Sequence, residues 1–221
     1  MSFIRLSDLY ESIGMDEDAE SILEEGLTWN PDNEDLNLKL GDVALKLKDL
    51  AKVIVNLDNL EKIHPESPNT FLLRGRAAFV EKEYERAQEL YLKAQEIAGQ
   101  EEGSKYYYDI DMGLAFIDNK LNNKSVPSPQ LEKLLSQLLE KEMQYSIMQT
   151  QLTIAAIYAG LDKNDEAILY LEKAVQSGLL DYKMLETNPL FENIQKLDSF
   201  KKMKDQVQSK AEKIQKEVTE E

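Results

Sequence analysis

The chain has 221 residues, no cysteine, one histidine and a net charge of −16, from 26 basic and 42 acidic side chains. The missing cysteine excludes disulfides, thiolate metal sites and cysteine nucleophiles, and no run approaches the ~18 uncharged apolar residues of a membrane span. Arg5 alone faces eleven acids over residues 1–35, a field that repels nucleic acid and anionic lipid and favours a basic partner.

Three positions recur at a step of 34 residues: Pro31 returns as Pro65, Ser7 as Gly41 and Gly75, and Phe3 as Phe71. A repeat of that length is a stack of helix pairs, in which each pair buries its apolar face on its neighbours. The first unit, near 2–33, reads Phe3, Leu6-Ser7, Tyr10, Gly14, Ala19, Leu23, Gly26 and Pro31. Small residues at 7, 19 and 26 suit close helix crossings, and Gly14 is expected to end the first helix. Asp16-Glu17-Asp18 places negative charge at the start of the second. Trp29, at the exit, is expected to cover the start of the next unit.

The second unit, near 34–67, has Leu40-Gly41, Ala44, Val53, Leu57, Leu60 and Pro65, with Asn37 where an aromatic is expected. The third, near 68–101, has Phe71, Gly75, Ala78, Tyr84, Ala87, Tyr91 and Ala94, with Arg74 in a leucine slot and Gly99 in place of proline. Residues 102–147 read as a degenerate fourth unit. A helix over 105–118 includes Tyr106-Tyr107-Tyr108, expected to be mostly core. A polar loop spans 119–127, and Ser128-Pro129 starts a helix striped by Leu131, Leu134, Leu135, Leu138 and Leu139. The fifth unit, near 148–178, returns to pattern with Ile154-Ala155, Tyr158, Ala167, Leu171 and Ala174, and Gly178 stops its second helix.

Residues 179–221 begin with Asn188-Pro189-Leu190-Phe191 and continue as an apolar stripe through Phe200, Met203, Val207, Ala211, Ile214 and Val218. The first half of that terminal helix is expected to pack back and the tail beyond about Lys213 to fray. His64, alone in a turn before Pro65, builds no imidazole metal site and makes a poor sheltered base. There is no phosphate-binding glycine loop, nucleophile elbow or histidine pair, so no catalytic, cofactor or metal residue is expected.

The first three units and the fifth, with their small residues and with Pro31 and Pro65 closing the first two, resemble the tetratricopeptide repeat, strongly over 2–99 and 148–178. The segment after Gly178 resembles the end-of-array cap of bacterial members. The resemblance implies an all-α right-handed superhelix, an α-solenoid of about five pairs over 1–178, closed by a cap and terminal helix. It also implies that the inner curve is lined by the first helix of each pair. There lie Leu38, Asp42 and Leu45 in the second unit, Leu72, Arg76, Phe79 and Val80 in the third, and Leu152 in the fifth. Apolar residues on that face suggest a groove for an apolar or amphipathic peptide, with Asp42 and Arg76 setting charge preference. The alternative is a groove filled by the C-terminal helix or another fold-back of the chain. A subtype that clamps chaperone carboxylates needs cations where this chain has Ile4, Asp8, Asn69 and Leu73, so that activity is rejected.

The expected function is a non-catalytic adaptor holding a basic or amphipathic protein segment, with neither nucleic acid nor membrane as partner and no cofactor. The runner-up is a regulatory or localising arm of a larger bacterial enzyme or transcription regulator. The expected state is a monomer, or a weak homodimer through the C-terminal helix. The N-terminus lacks the layout of a signal peptide, which points to the cytoplasm, although the chain starts almost inside a repeat and a targeting segment could precede it.

Overall fold

The computed structural model describes residues 2–99, 107–121, 129–144 and 147–220, and among them the chain is helical throughout, without a strand. Two compact units emerge, one of Met1–Leu9 with Asp16–Val126 and one of Tyr10–Met15 with Pro127–Glu221.

The first unit holds α1 (Phe3–Ser12) up to Leu9, then α2 (Asp16–Trp29), α3 (Glu34–Lys46), α4 (Leu50–Ile63), α5 (Pro68–Val80), α6 (Tyr84–Ala98) and α7 (Tyr107–Leu121). Helix starts follow the expected chemistry. Asn33 accepts from the Leu36 amide at 2.8 Å, Asp49 from Lys52 at 3.0 Å, and Ser67 from Asn69 at 3.1 Å, with Pro68 opening α5. Helix α7 runs through Leu121, so the expected loop begins later than 119. Asn119 is buried in that helix because its last turn still faces the core. The rest of that loop, the Ser128 cap, Tyr106 and the side chains of Tyr107 and Tyr108 lie outside the described residues.

The core is a chain of linked clusters. Leu23, Leu36, Leu40 and Val43 form one, Ala44, Leu45, Val53, Leu60 and Leu73 the next, and Leu72, Ala87, Tyr91, Ala94, Ile110 and Ile117 a third. Helices α3 and α5 each feed two clusters from opposite sides, as a stack of mutually dependent pairs requires. Their crossing points admit no side chain: a Cβ at Gly41 would run into Leu73, and one at Gly75 would stand 2.7 Å from the Tyr91 ring.

The first helix of each of four pairs leaves through a left-handed residue. Gly14, Lys48 and Lys82, with φ of 76°, 61° and 64°, follow the 34-residue step, and Asp162 does the same at 56°. At each exit the following amide reaches back five residues, Met15 to Tyr10, Asp49 to Ala44, Glu83 to Ala78 and Lys163 to Tyr158, all at 2.9 Å. This is the Schellman closure.

The second unit holds α8 (Pro129–Gln144), α9 (Met148–Gly160), α10 (Asn164–Gln176), α11 (Tyr182–Thr187), a 3-10 turn at Pro189–Phe191 and α12 (Asp198–Glu220). Gly178, at φ 106°, lies just past the end of α10 as expected. The segment after it is fastened by polar groups. Asp181 accepts from Met184 at 2.8 Å, Asn188 accepts from Leu190 at 2.9 Å, and the Asn193 amide donates to the Ala159 carbonyl at 2.6 Å. Phe191, Ile194, Phe200, Met203, Val207 and Ala211 are all buried. The Lys204–Glu186 bond ties α12 to α11 and raises the lysine above its ordinary range. Contrary to the expected fraying, α12 stays helical to Glu220, and the Gln215 amide donates to the Ile13 carbonyl.

Candidate protein-binding face

Leu38, Asp42 and Leu45 recur one unit later as Leu72, Arg76 and Phe79, because a 34-residue step superimposes α3 on α5. The Arg76 guanidinium donates to the Asp42 carboxylate across that step and joins the two helices. Both side chains keep partial access to water, 24% for Arg76 and 32% for Asp42. Leu38 lies one turn before Asp42, half-buried against the cluster of Ala44 and Leu73. Phe79 lies just under one turn after Arg76, half-buried, and meets Tyr84 edge-on at 5.6 Å between ring centroids. The face formed by α3 and α5 is therefore apolar at Leu38 and Phe79 and ionic between them.

Three expected placements change. Leu72 is only 1% exposed, enclosed with Ile110 and Ile117 of α7, so it offers a partner no surface. Leu45 is buried with Val53, Leu60 and Leu73, because α3 needs it to pack on α4 and α5. Trp29 does not cover the next unit: at 78% exposure its ring stands in water at the end of α2. Val80 is exposed at the last residue of α5, and Leu152 is half-buried on α9 in the second unit.

The residues that departed from pattern have local reasons. Asn37, wholly buried in an aromatic slot, donates to the carbonyls of Pro31 at 3.0 Å and Asn33 at 2.9 Å, pinning the turn between units. Arg74, in a leucine slot, ion-pairs with Glu61. Of the clamp positions, Asp8 pairs with Lys39 at 2.7 Å, Asn69 donates to Glu34 at 2.8 Å, and Leu73 is core. The His64 carbonyl accepts from the Thr70 hydroxyl at 2.9 Å, which gives that residue a place in the inter-unit turn.

One feature escaped the sequence pattern. Helix α4 exposes Leu50, Ile54 and Val55 while burying Asn56. Beside them Lys52 reaches back to Glu20 and Glu24 of α2, at 2.8 Å each. Burial pulls the Lys52 ammonium down, but the two carboxylates outweigh it and hold it above the ordinary lysine range. Comparison of the units with one another was the signal that could have found this strip.

Among the described residues, no cluster of carboxylates and histidine is arranged to hold a metal ion, and no helix is long and apolar enough to cross a membrane.

A family model for the tetratricopeptide repeat matches residues 2–33 and 149–177, the first and fifth units of the array. The chain carries tetratricopeptide repeats. The helix pairs between those matches repeat the same geometry, with the Gly41 and Gly75 crossings and the 34-residue exits at Lys48 and Lys82. TTC0263, a thermophilic TPR protein of Thermus thermophilus, superimposes on this tetratricopeptide array with a TM-score of 0.54 at 16% identity, covering 86% of this chain and 97% of that one. PilW, described as a widely conserved type IV pilus biogenesis factor, does so with a TM-score of 0.51 at 15% identity, over 94% of this chain and 91% of its own. At these identities the likeness is one of fold: an all-α solenoid of tetratricopeptide pairs. No curated protein matches in sequence.

Proposed function

We propose that this chain is a non-catalytic adaptor that binds a protein segment on the face formed by α3 and α5. Tetratricopeptide arrays act as interaction scaffolds, and the observation that favours this face is the Asp42–Arg76 pair set between Leu38 and Phe79. A bound segment gains apolar contact at the two half-buried side chains. Its register is set by the ion pair, whose two ends offer opposite charges side by side. Leu72 and Leu45 act indirectly, by holding α3 and α5 in place.

The test begins with a partner captured from the source organism and identified by mass spectrometry. A variant carrying Leu38→Ser and Arg76→Asp should lose at least tenfold in affinity for that partner while its helical circular dichroism is unchanged. Unaltered affinity in a folded variant rejects the face. Replacing Leu72 would not serve, because an emptied core position costs ~2–5 kcal/mol and confuses lost binding with lost structure.

A further inference from the structure

The first three units of the array act as controls for one another, and against the first and third α4 is anomalous. Ile54 stands where the first unit has Glu20 and the third Gln88. Val55 stands where they have Ser21 and Glu89, and Ala51 where they have Glu17 and Glu85. At Leu50 and Val80 the first unit has Asp16 and Lys46, which form an ion pair at 2.7 Å with the aspartate 1% exposed. One unit on, the place of Leu50 is taken by Tyr84, which packs partly into the core. In the second unit both places are apolar and open, with Leu50 42% and Val80 39% exposed. Ile54 and Val55, at 58% and 57%, continue the strip along α4.

The stack does not need these side chains. Helix α4 meets its neighbours through Val53, Leu57 and Leu60, and its buried Asn56 satisfies itself on the Lys52 carbonyl at 3.0 Å. A helix presenting one apolar face to the core and a second to water is using the second for something else.

The surrounding charge selects the occupant. Helix α2 carries six acids and no base, and its Glu20 and Glu24 reach α4 through Lys52. Asp49 and Asp58 bracket the strip on α4 itself, and Glu85 and Glu89 are exposed on α6. The cations nearby are few: Lys52 is held by the two glutamates, Arg86 is bonded to Glu83 at 2.8 Å, and Lys48, Lys62 and Lys82 lie beyond the ends of the strip. A second copy would bring the same acidic rim and a further net charge of −16. Anionic lipid and nucleic acid carry the same sign. We infer that the exposed strip of Leu50, Ile54 and Val55 on α4, continued by Val80 at the end of α5, is a second docking surface, distinct from the face of Leu38, Asp42, Arg76 and Phe79. Its occupant is a basic amphipathic helix of a partner protein, with leucine-like side chains on the strip and lysine or arginine at its flanks. The strip is small, so the interface is of the weak, transient class.

The probe is a labelled helical peptide of leucine and lysine, 14 residues long to match α4, with a leucine stripe; its partner control replaces lysine with glutamate. Fluorescence anisotropy should show the lysine peptide binding and the glutamate peptide not. The double variant Ile54→Glu, Val55→Ser installs the residues of the first unit. It should weaken the lysine peptide at least tenfold with unchanged helicity. This direction is diagnostic, because the variant adds negative charge and attraction by net charge alone would hold or grow. If helicity falls, Val55→Ser alone carries the same comparison. The Leu38→Ser, Arg76→Asp variant should bind the lysine peptide as the parent does, which separates this surface from the one above. Undiminished binding by the strip variants overturns the inference, as does absence of binding by the parent. A concentration-dependent dimer in sedimentation velocity that the double variant abolishes overturns it too, because a second copy is then the occupant.

Discussion

Asn37 and Trp29 show how a single residue can exchange packing for another role within one repeat. Asn37 fills an aromatic slot that Phe3 and Phe71 occupy in the neighbouring units, and its amide takes two backbone carbonyls instead of apolar contact. Such bonds contribute ~1 kcal/mol each, roughly what a smaller side chain loses in buried area. Trp29 makes the reverse exchange and leaves its ring in water at 78% exposure. As the only tryptophan, it reports on itself. Its emission should lie at the red, water-exposed end of the indole range, and acrylamide should quench it nearly as fast as it quenches a free tryptophan derivative. A blue-shifted, protected emission would place the ring against the protein or a second chain. The sequence around Trp29 led to the opposite expectation, because an aromatic beside a helix exit usually packs. What decides exposure here is the neighbour it would cover, and no local pattern encodes that.

At the level of elements, the exits from α1, α3 and α5 are one device used three times with different residues. Gly14 adopts its left-handed turn without steric cost, whereas Lys48 and Lys82 do so against the ~1–2 kcal/mol that a Cβ imposes there. Glycine returns ~0.5–1 kcal/mol of that through the greater freedom of its unfolded chain. Lys48→Gly should therefore stabilise the protein by about 0.5–1 kcal/mol, read as a melting point higher by ~1–4 °C in a chain of this size. A lower melting point would mean that the lysine stem contributes packing that outweighs the strain. The 34-residue period made the helix pairs and their crossing glycines legible, since each crossing demands a small residue. It did not expose the turn at Lys48, because lysine carries no left-handed preference. The proposed binding face was half legible. The family resemblance pointed to Leu38, Asp42, Arg76 and Phe79, but it pointed equally to Leu45 and Leu72, which the core takes first. The strip on α4 was illegible to periodicity because Leu50, Ile54 and Leu57 also follow helical spacing, and only the unlike residues in the flanking units set it apart.

Across the whole molecule, charge dominates. Sixteen uncompensated negative charges are spread over 221 residues, with six acids on α2 reached by few cations, among them Lys46 and Lys52. Two effects of salt oppose one another. Screening weakens exposed ion pairs such as Asp8–Lys39, but those are worth only ~0–1 kcal/mol each. It barely touches Asp16–Lys46, where the aspartate is buried. Screening also relieves repulsion among the excess acids, and that sum grows with the square of the imbalance. Repulsion should win. Raising ionic strength from about 10 mM to 150 mM shortens the Debye length from ~30 Å to ~8 Å, and the melting temperature should rise by a few degrees over that interval. A fall would show that surface ion pairs contribute more than the imbalance costs. The same reasoning separates salt from a true partner. Simple salt acts evenly on all the acids, whereas a basic helix seated near α2 and α4 neutralises Glu20, Glu24, Asp49 and Asp58 together and adds apolar contact. At about 150 mM salt, where general repulsion is already screened, the leucine–lysine peptide should still raise the melting temperature. The Ile54→Glu, Val55→Ser variant should show the salt effect and lose the peptide effect.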